Sequence, residues 1–204
     1  MRKLIEWLVS IGLIAALHLL TNLFQIDYLS IFNNTPHMAV FYIPAAVRVF
    51  SAIIFGYWAG LGVGLGVLLH ATLAPVLQFN TNEIALNMLQ QGITVSLSLL
   101  IWAYASNKVT CLINPQIDFP RINAFDVLQM CLIQAILNSV TAHIFYIWSP
   151  SIHLQFDWYY FAVMLVGDLT GSFLIFILAN VIFSVFKRTP LFPHKHYDDT
   201  MNNK

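Results

Sequence analysis

The chain has 204 residues, 59% of them apolar and only 9% charged, with a formal net charge of zero and a mean hydropathy of +0.75. Soluble domains carry about 25% charged residues, so a water-soluble fold of this length has too little polar surface to cover itself. Lipid is the expected solvent, and nothing in the charge points to nucleic acid as a partner.

A helix that crosses a bilayer needs about 20 mostly apolar residues. Taken in chain order, six such stretches occur: Leu4–Phe24, Met38–Phe55, Tyr57–Val76, Glu83–Tyr104, Val127–Trp148 and Trp158–Phe186. The expected fold is an all-α polytopic membrane bundle, one domain over residues 1–188 with a short polar tail over 189–204. Arg2 and Lys3 give the first stretch the look of a signal peptide. No small-x-small cleavage site closes it, and it holds His18 and Asn22, so it is expected to be retained. The run from Met38 to Leu77 is too long for one span, and Gly56 before Tyr57-Trp58 is the natural point for a hairpin.

Lysine and arginine set the expected orientation. Arg2 and Lys3 precede the first span, Lys108 and Arg121 lie between the fourth and fifth, and Lys187, Arg188, Lys195 and Lys204 follow the sixth. The loops of opposite parity, Gln25–His37, Leu77–Asn82 and Ser149–Asp157, contain none. The positive-inside rule then places both ends in the cytoplasm. All five tryptophans (Trp7, Trp58, Trp102, Trp148, Trp158) fall near span ends, as an interfacial belt requires. The two cysteines, Cys111 and Cys131, fall on or near the cytoplasmic side, so no disulfide is expected.

Polar residues inside the spans point to a site. Arg48 and Asp168 each lie roughly ten residues from an outer span end, ~15 Å deep at a rise of ~1.5 Å per residue. A charge at that depth is costly unless paired or hydrated, so an Arg48–Asp168 pair facing the bundle interior is expected. It serves a site or staples two helices. Other polar residues recur at helical spacing: Glu83, Asn87, Gln90, Gln91 and Thr94; Gln134, Asn138 and Thr141; His18, Thr21, Asn22 and Gln25. Each alone reads as interhelical hydrogen bonding. Together, at similar depth on five helices, they suggest an outward-opening ligand pocket around Arg48, Asp168, Asn87, Gln91, Asn138, His18 and His70. No cofactor is expected; the alternative is a metal or haem site, since His18, His70 and His143 lie at similar depth.

Glycines pattern two spans. Gly56, Gly60 and Gly64 recur every fourth residue, Gly62 and Gly66 form a second row, and Gly167 and Gly171 flank Asp168. Small faces of this kind let helices approach closely. No phosphate-cradling loop, nucleophile elbow or zinc-protease motif occurs, so an enzyme is not expected.

Tyr42-Ile43-Pro44-Ala45-Ala46, the apolar run to Gly56, Trp58 and the glycine row resemble the start of membrane-associated sensor (MASE-type) input domains of bacterial signalling proteins. Glu83–Tyr104, Phe125-Asp126-Val127-Leu128 and Gly167-Asp168-Leu169-Thr170-Gly171 continue the likeness in order, from roughly Phe41 to Phe186. Members of that family usually have more spans and precede a kinase, cyclase or phosphodiesterase module. The resemblance thus implies a stand-alone sensory module in a bacterial inner membrane. It would bind an unidentified small molecule and signal through a separate membrane or cytoplasmic protein partner. Six spans with an outward pocket also resemble the substrate-binding subunits of energy-coupling-factor vitamin transporters, with Ser10, Gly12, Ala15 and Ala16 as a docking face. A third reading is a structural subunit without ligand.

Overall fold

The structure, a computed structural model, describes residues 2–29, 33–35, 38–73, 79–109, 122–151 and 157–188. Among these residues there are six α-helices: α1 (Arg2–Tyr28), α2 (Pro44–Phe55), α3 (Ala59–Leu73), α4 (Thr81–Ala105), α5 (Ala124–Trp148) and α6 (Trp158–Arg188). Two short antiparallel strands, β1 (Asn33–Thr35) and β2 (Met38–Ala39), lie between α1 and α2. The expectations for Cys111, Arg121, Lys195, Lys204, the end of the third span at Val76 and the tail over 189–204 lie outside the described residues.

Five stretches are long and apolar enough to cross a membrane: Leu4–Ile26, Pro44–Leu73, Thr81–Ala105, Ala124–Trp148 and Trp158–Val181. Their outward faces carry large apolar side chains, with Leu8, Leu20, Ile93 and Phe125 more than half exposed. Such a surface suits lipid rather than water. The second stretch is not one straight helix. Gly56 has φ 67°, a left-handed conformation that glycine adopts without penalty, and a 3₁₀ turn over Gly56–Trp58 follows it. There the chain reverses. Gln25, near the end of α1, bonds to Ile43 before α2, whereas Trp58 stacks on Trp7 near the start of α1 at 4.9 Å between ring centroids. Gly62 then meets Ile14, and Gly66 meets His18, so α3 climbs alongside α1 in the same direction.

The expected second span, Met38–Phe55, is therefore corrected. Its first residues are a strand and an extended strap, and the helix starts only at Pro44. At 12 residues, or ~18 Å, α2 is shorter than a bilayer crossing. It does not need to meet lipid, because it touches all five other helices and buries Arg48, Val49, Ser51, Ala52 and Ile53 among them. The remaining helices are neighbours in the order α1, α3, α4, α5, α6 around it. Two of them open on capping boxes, Asn80 with Glu83 and Asn123 with Asp126, which satisfy the first free backbone amides.

Non-helical backbone at membrane depth is tolerated only where protein satisfies its polar groups. The strap Val40–Ile43 meets that condition. Tyr42 donates its backbone N–H to the Gly167 carbonyl at 3.1 Å, and Thr170 donates to the Val40 carbonyl at 2.7 Å. The Gln25 side chain donates to the Phe41 carbonyl at 2.9 Å and accepts from Ile43 N–H at 3.1 Å.

This docking explains two of the glycines. A Cβ on Gly167 would lie 1.9 Å from the Ala39 carbonyl oxygen, and one on Gly171 2.0 Å from that of Tyr42. The pair thus packs α6 against an extended backbone, not against a helix. Gly60 and Gly64 face Gly92, Ser96 and Met88 of α4, and Gly62 and Gly66 face α1. Gly56, read from the sequence both as the hairpin point and in the glycine row, is the hairpin turn.

The interior divides along the bundle axis. The half nearer the α1 N-terminus is apolar, built on Val49, Ile53, Val63, Leu99, Trp102 and Met130. The other half holds most of the buried polar side chains around Arg48, beside a smaller apolar cluster of Ala142, Val163 and Met164.

Gly171→Ala is expected to destabilise the protein by more than the ~1–3 kcal/mol typical of overpacking, because rigid backbone blocks the new methyl group. Gly12→Ala, with nothing within 4 Å of its Cβ, serves as the control and is expected to match the parent. Thermal unfolding of the detergent-solubilised variants checks this. Equal melting temperatures for Gly171→Ala and the parent would rule out the strap packing.

Candidate functional site

The site is built on a charge that must be buried. Arg48 lies on the central helix and is 1% exposed. Its guanidinium Nη1 stands 3.4 Å from Asp168 Oδ2 of α6. Asn138 Nδ2 of α5 donates to the same carboxylate oxygen at 2.7 Å. The guanidinium carbon lies 5.1 Å from the centre of the Tyr42 ring, and the Tyr42 hydroxyl donates to Asn22 Oδ1 at 2.9 Å. The aromatic face and the carboxylate are both attractive contacts for a cation. The expected pair is therefore present, and each of its partners comes from a different element.

Beside this pair lies a cavity of about 140 Å³. All seven residues expected around a pocket line it: Arg48, Asp168, Asn87, Gln91, Asn138, His18 and His70. They converge from six helices, although Asn138 and Asn87 are 51 positions apart in sequence. Four of them carry side-chain atoms without a hydrogen-bond partner among the described residues: His18 Nδ1, Arg48 Nε, His70 Nε2 and Gln91 Oε1. Buried polar atoms are rarely left in that condition unless water or a ligand meets them.

Several expected residues fall elsewhere. Gln90, Thr94 and Thr141 form a direct link between α4 and α5, with Gln90 donating to Thr141 Oγ1 at 2.7 Å and the two threonine hydroxyls 2.9 Å apart. Ser98 and Gln134 make a second link nearer the apolar core. These are interhelical bonds, not cavity wall. Glu83 leaves the polar stripe altogether. Its carboxylate accepts from Asn80 N–H and Ser151 N–H at 2.9 Å each, and from the hydroxyls of Ser149 and Ser151. It ties the start of α4 to the segment after α5. His143 accepts from Asp157 N–H at 3.3 Å and packs edge-on against Phe161, away from the cavity. The three histidines thus do not converge. Among the described residues no group of three or more His, Cys, Asp or Glu is placed to hold a metal ion.

Asn22 and Gln25, read from the sequence in the polar set of the first span, also line the wall, and three further wall residues carry no such reading: Tyr42, Tyr146 and Met164. Tyr146 is within reach of the helical period, two turns beyond Asn138 on α5. Tyr42 gave no such signal, because tyrosine near a span end reads as an interfacial anchor.

If the pair is what holds this arrangement, removing either partner strands a buried charge. Arg48→Ala and Asp168→Ala are each expected to cost about 3–5 kcal/mol. The double variant Arg48→Ala/Asp168→Ala is expected to cost much less than the sum of the two. Unfolding free energies from a double-mutant cycle in detergent check this, and additive losses would mean that the two residues do not interact.

No family model matches the chain, and neither a curated protein nor a solved structure shows significant similarity to it.

Proposed function

We propose that the chain is a sensory or ligand-binding module of the bacterial inner membrane, crossing six times with both ends in the cytoplasm. The observation that carries this reading is the cavity: six helices deliver seven polar side chains to one place, and four of these have atoms with no partner among the described residues. What separates these residues from the Gln90–Thr94–Thr141 link, where Gln90 Oε1 is also unpartnered among the described residues, is that they line one common space.

In this reading the α2–α3 hairpin counts as two crossings, and the basic residues around Lys108 mark the cytoplasmic end. Ligand in the cavity touches the strap through Ala39 and Tyr42, and α6 through Met164 and Asp168. A ligand with different affinity for two packings of the strap on α6 shifts their populations. A partner protein reads that shift. The resemblance to MASE-type input domains supports the same assignment.

A second reading is the substrate-binding subunit of a small-molecule transporter. It is favoured by α1, where Gly12 has nothing within 4 Å of its Cβ position and Ala16 is also exposed. Ala15, in contrast, is buried against α3 and is unavailable to a partner.

Native mass spectrometry of the gently solubilised protein from its own host separates the readings. The expected result is the chain carrying a small molecule, with or without a signalling protein. A complex with ATPase subunits would transfer the assignment to the transporter. A bare, empty chain would leave a structural subunit. Cysteines introduced at Asn107 and Ser151 test the crossings: membrane-impermeant thiol reagent on intact spheroplasts is expected to label only the second. Labelling of both would contradict the six-crossing topology.

A further inference from the structure

The cavity has a composition that selects its ligand by charge. Among the described residues, Arg48 and Asp168 are the only lining side chains with a formal charge, and they are paired with each other. They are 1% and 3% exposed. The field that a ligand meets is therefore that of a neutralised ion pair surrounded by amides, imidazoles and phenols. A net charge brought into this site gives up its hydration without finding an uncommitted counter-charge, which is expensive in a buried, low-dielectric setting. An uncharged molecule with hydrogen-bonding groups gives up much less.

Size narrows the class further. A cavity of about 150 Å³ in a protein interior accommodates one benzene ring, and this one measures about 140 Å³. Ordinary pockets for drug-sized ligands start at about 300 Å³. The unpartnered atoms include a donor, Arg48 Nε, and an acceptor, Gln91 Oε1, both on residues that line the same space. Val67, Ala142 and Met164 supply an apolar wall.

We infer that the cavity binds a single-ring, net-uncharged molecule whose polar end both donates and accepts hydrogen bonds, as a carboxamide does, and that it discriminates against anions and cations of the same shape. This inference rests on the reading of the cavity as a ligand pocket.

Benzamide, benzoate and benzamidinium are nearly isosteric and differ in charge by one unit each, so they isolate the charge preference. Binding of each is measured by ligand-detected nuclear magnetic resonance on the protein in lipid nanodiscs at pH 8, above the ordinary histidine range, with empty nanodiscs subtracted. Benzamide is expected to bind at least about tenfold more tightly than either ion, a difference of about 1.4 kcal/mol. Ala142→Met, which fills the cavity, is expected to abolish the signal. Asp168→Asn leaves the wall with a net positive charge and is expected to shift the preference toward benzoate. Arg48→Gln is expected to shift it toward benzamidinium. If either single variant fails to fold, the order of the three probes on the parent protein decides alone. Tighter binding of benzoate or benzamidinium to the parent would overturn the charge inference and leave the pocket standing. Binding of none of the three would overturn both and make the cavity a water-filled gap between helices.

Discussion

One buried guanidinium constrains the polar half of this molecule. Arg48 sits on the central helix, which among the described residues touches all five others, and is 1% exposed. It needs a carboxylate, and Asp168 on α6 is the one provided. Bringing α6 that close means laying it against the strap that leads into α2. That approach is possible only because Gly167, just before the acid, and Gly171, three residues after it, present bare backbone to the Ala39 and Tyr42 carbonyls. The Gly-Asp-x-x-Gly element is thus a single device. The glycines admit the strap, and the aspartate meets the charge that the strap's helix carries.

The strap creates an obligation of its own. Its backbone is neither helix nor closed sheet, so its amides and carbonyls have to be satisfied by neighbours. Gln25 does this with both ends of its amide, and Gly167 and Thr170 do the rest. The elements that surround the cavity are therefore coupled through backbone hydrogen bonds as well as side chains. A shift of Tyr42 would be felt by α1 through Asn22 and Gln25, and by α6 through Gly167. In contrast, the half of the bundle around Leu99, Trp102 and Met130 is close-packed and apolar, and offers no comparable route.

Much of the architecture was legible in the sequence, for reasons that are largely one-dimensional. A span is a run of apolar residues of a length set by the bilayer, so α1, α4, α5 and α6 could be read nearly to their ends. A reversal near Gly56 followed from a run too long for one crossing and a residue able to take positive φ. The membership of the cavity wall was legible for a related reason. Polar residues are so costly facing lipid that depth alone collects them, and Arg48, Asp168, Asn87, Gln91, Asn138, His18 and His70 were assembled from depth.

What depth cannot do is choose among partners at one level, and there only tertiary structure decided. It sent Gln90, Thr94 and Thr141 to a direct α4–α5 link and Glu83 to the Ser149–Ser151 segment. It separated His143 from His18 and His70. It also turned Met38–Ile43 from the first turns of a span into an extended strap, since an apolar run reads the same whether its backbone bonds to itself or to a neighbour. The sequence by itself determined that the chain has helices long and apolar enough to cross a membrane, roughly where they run, and which polar groups would be costly facing lipid. Those are properties of single residues in a solvent. Which groups meet, and whether a space remains between them, depends on helix rotation and approach, and these are set by contacts such as Gly171 on Tyr42 that join residues far apart in the chain.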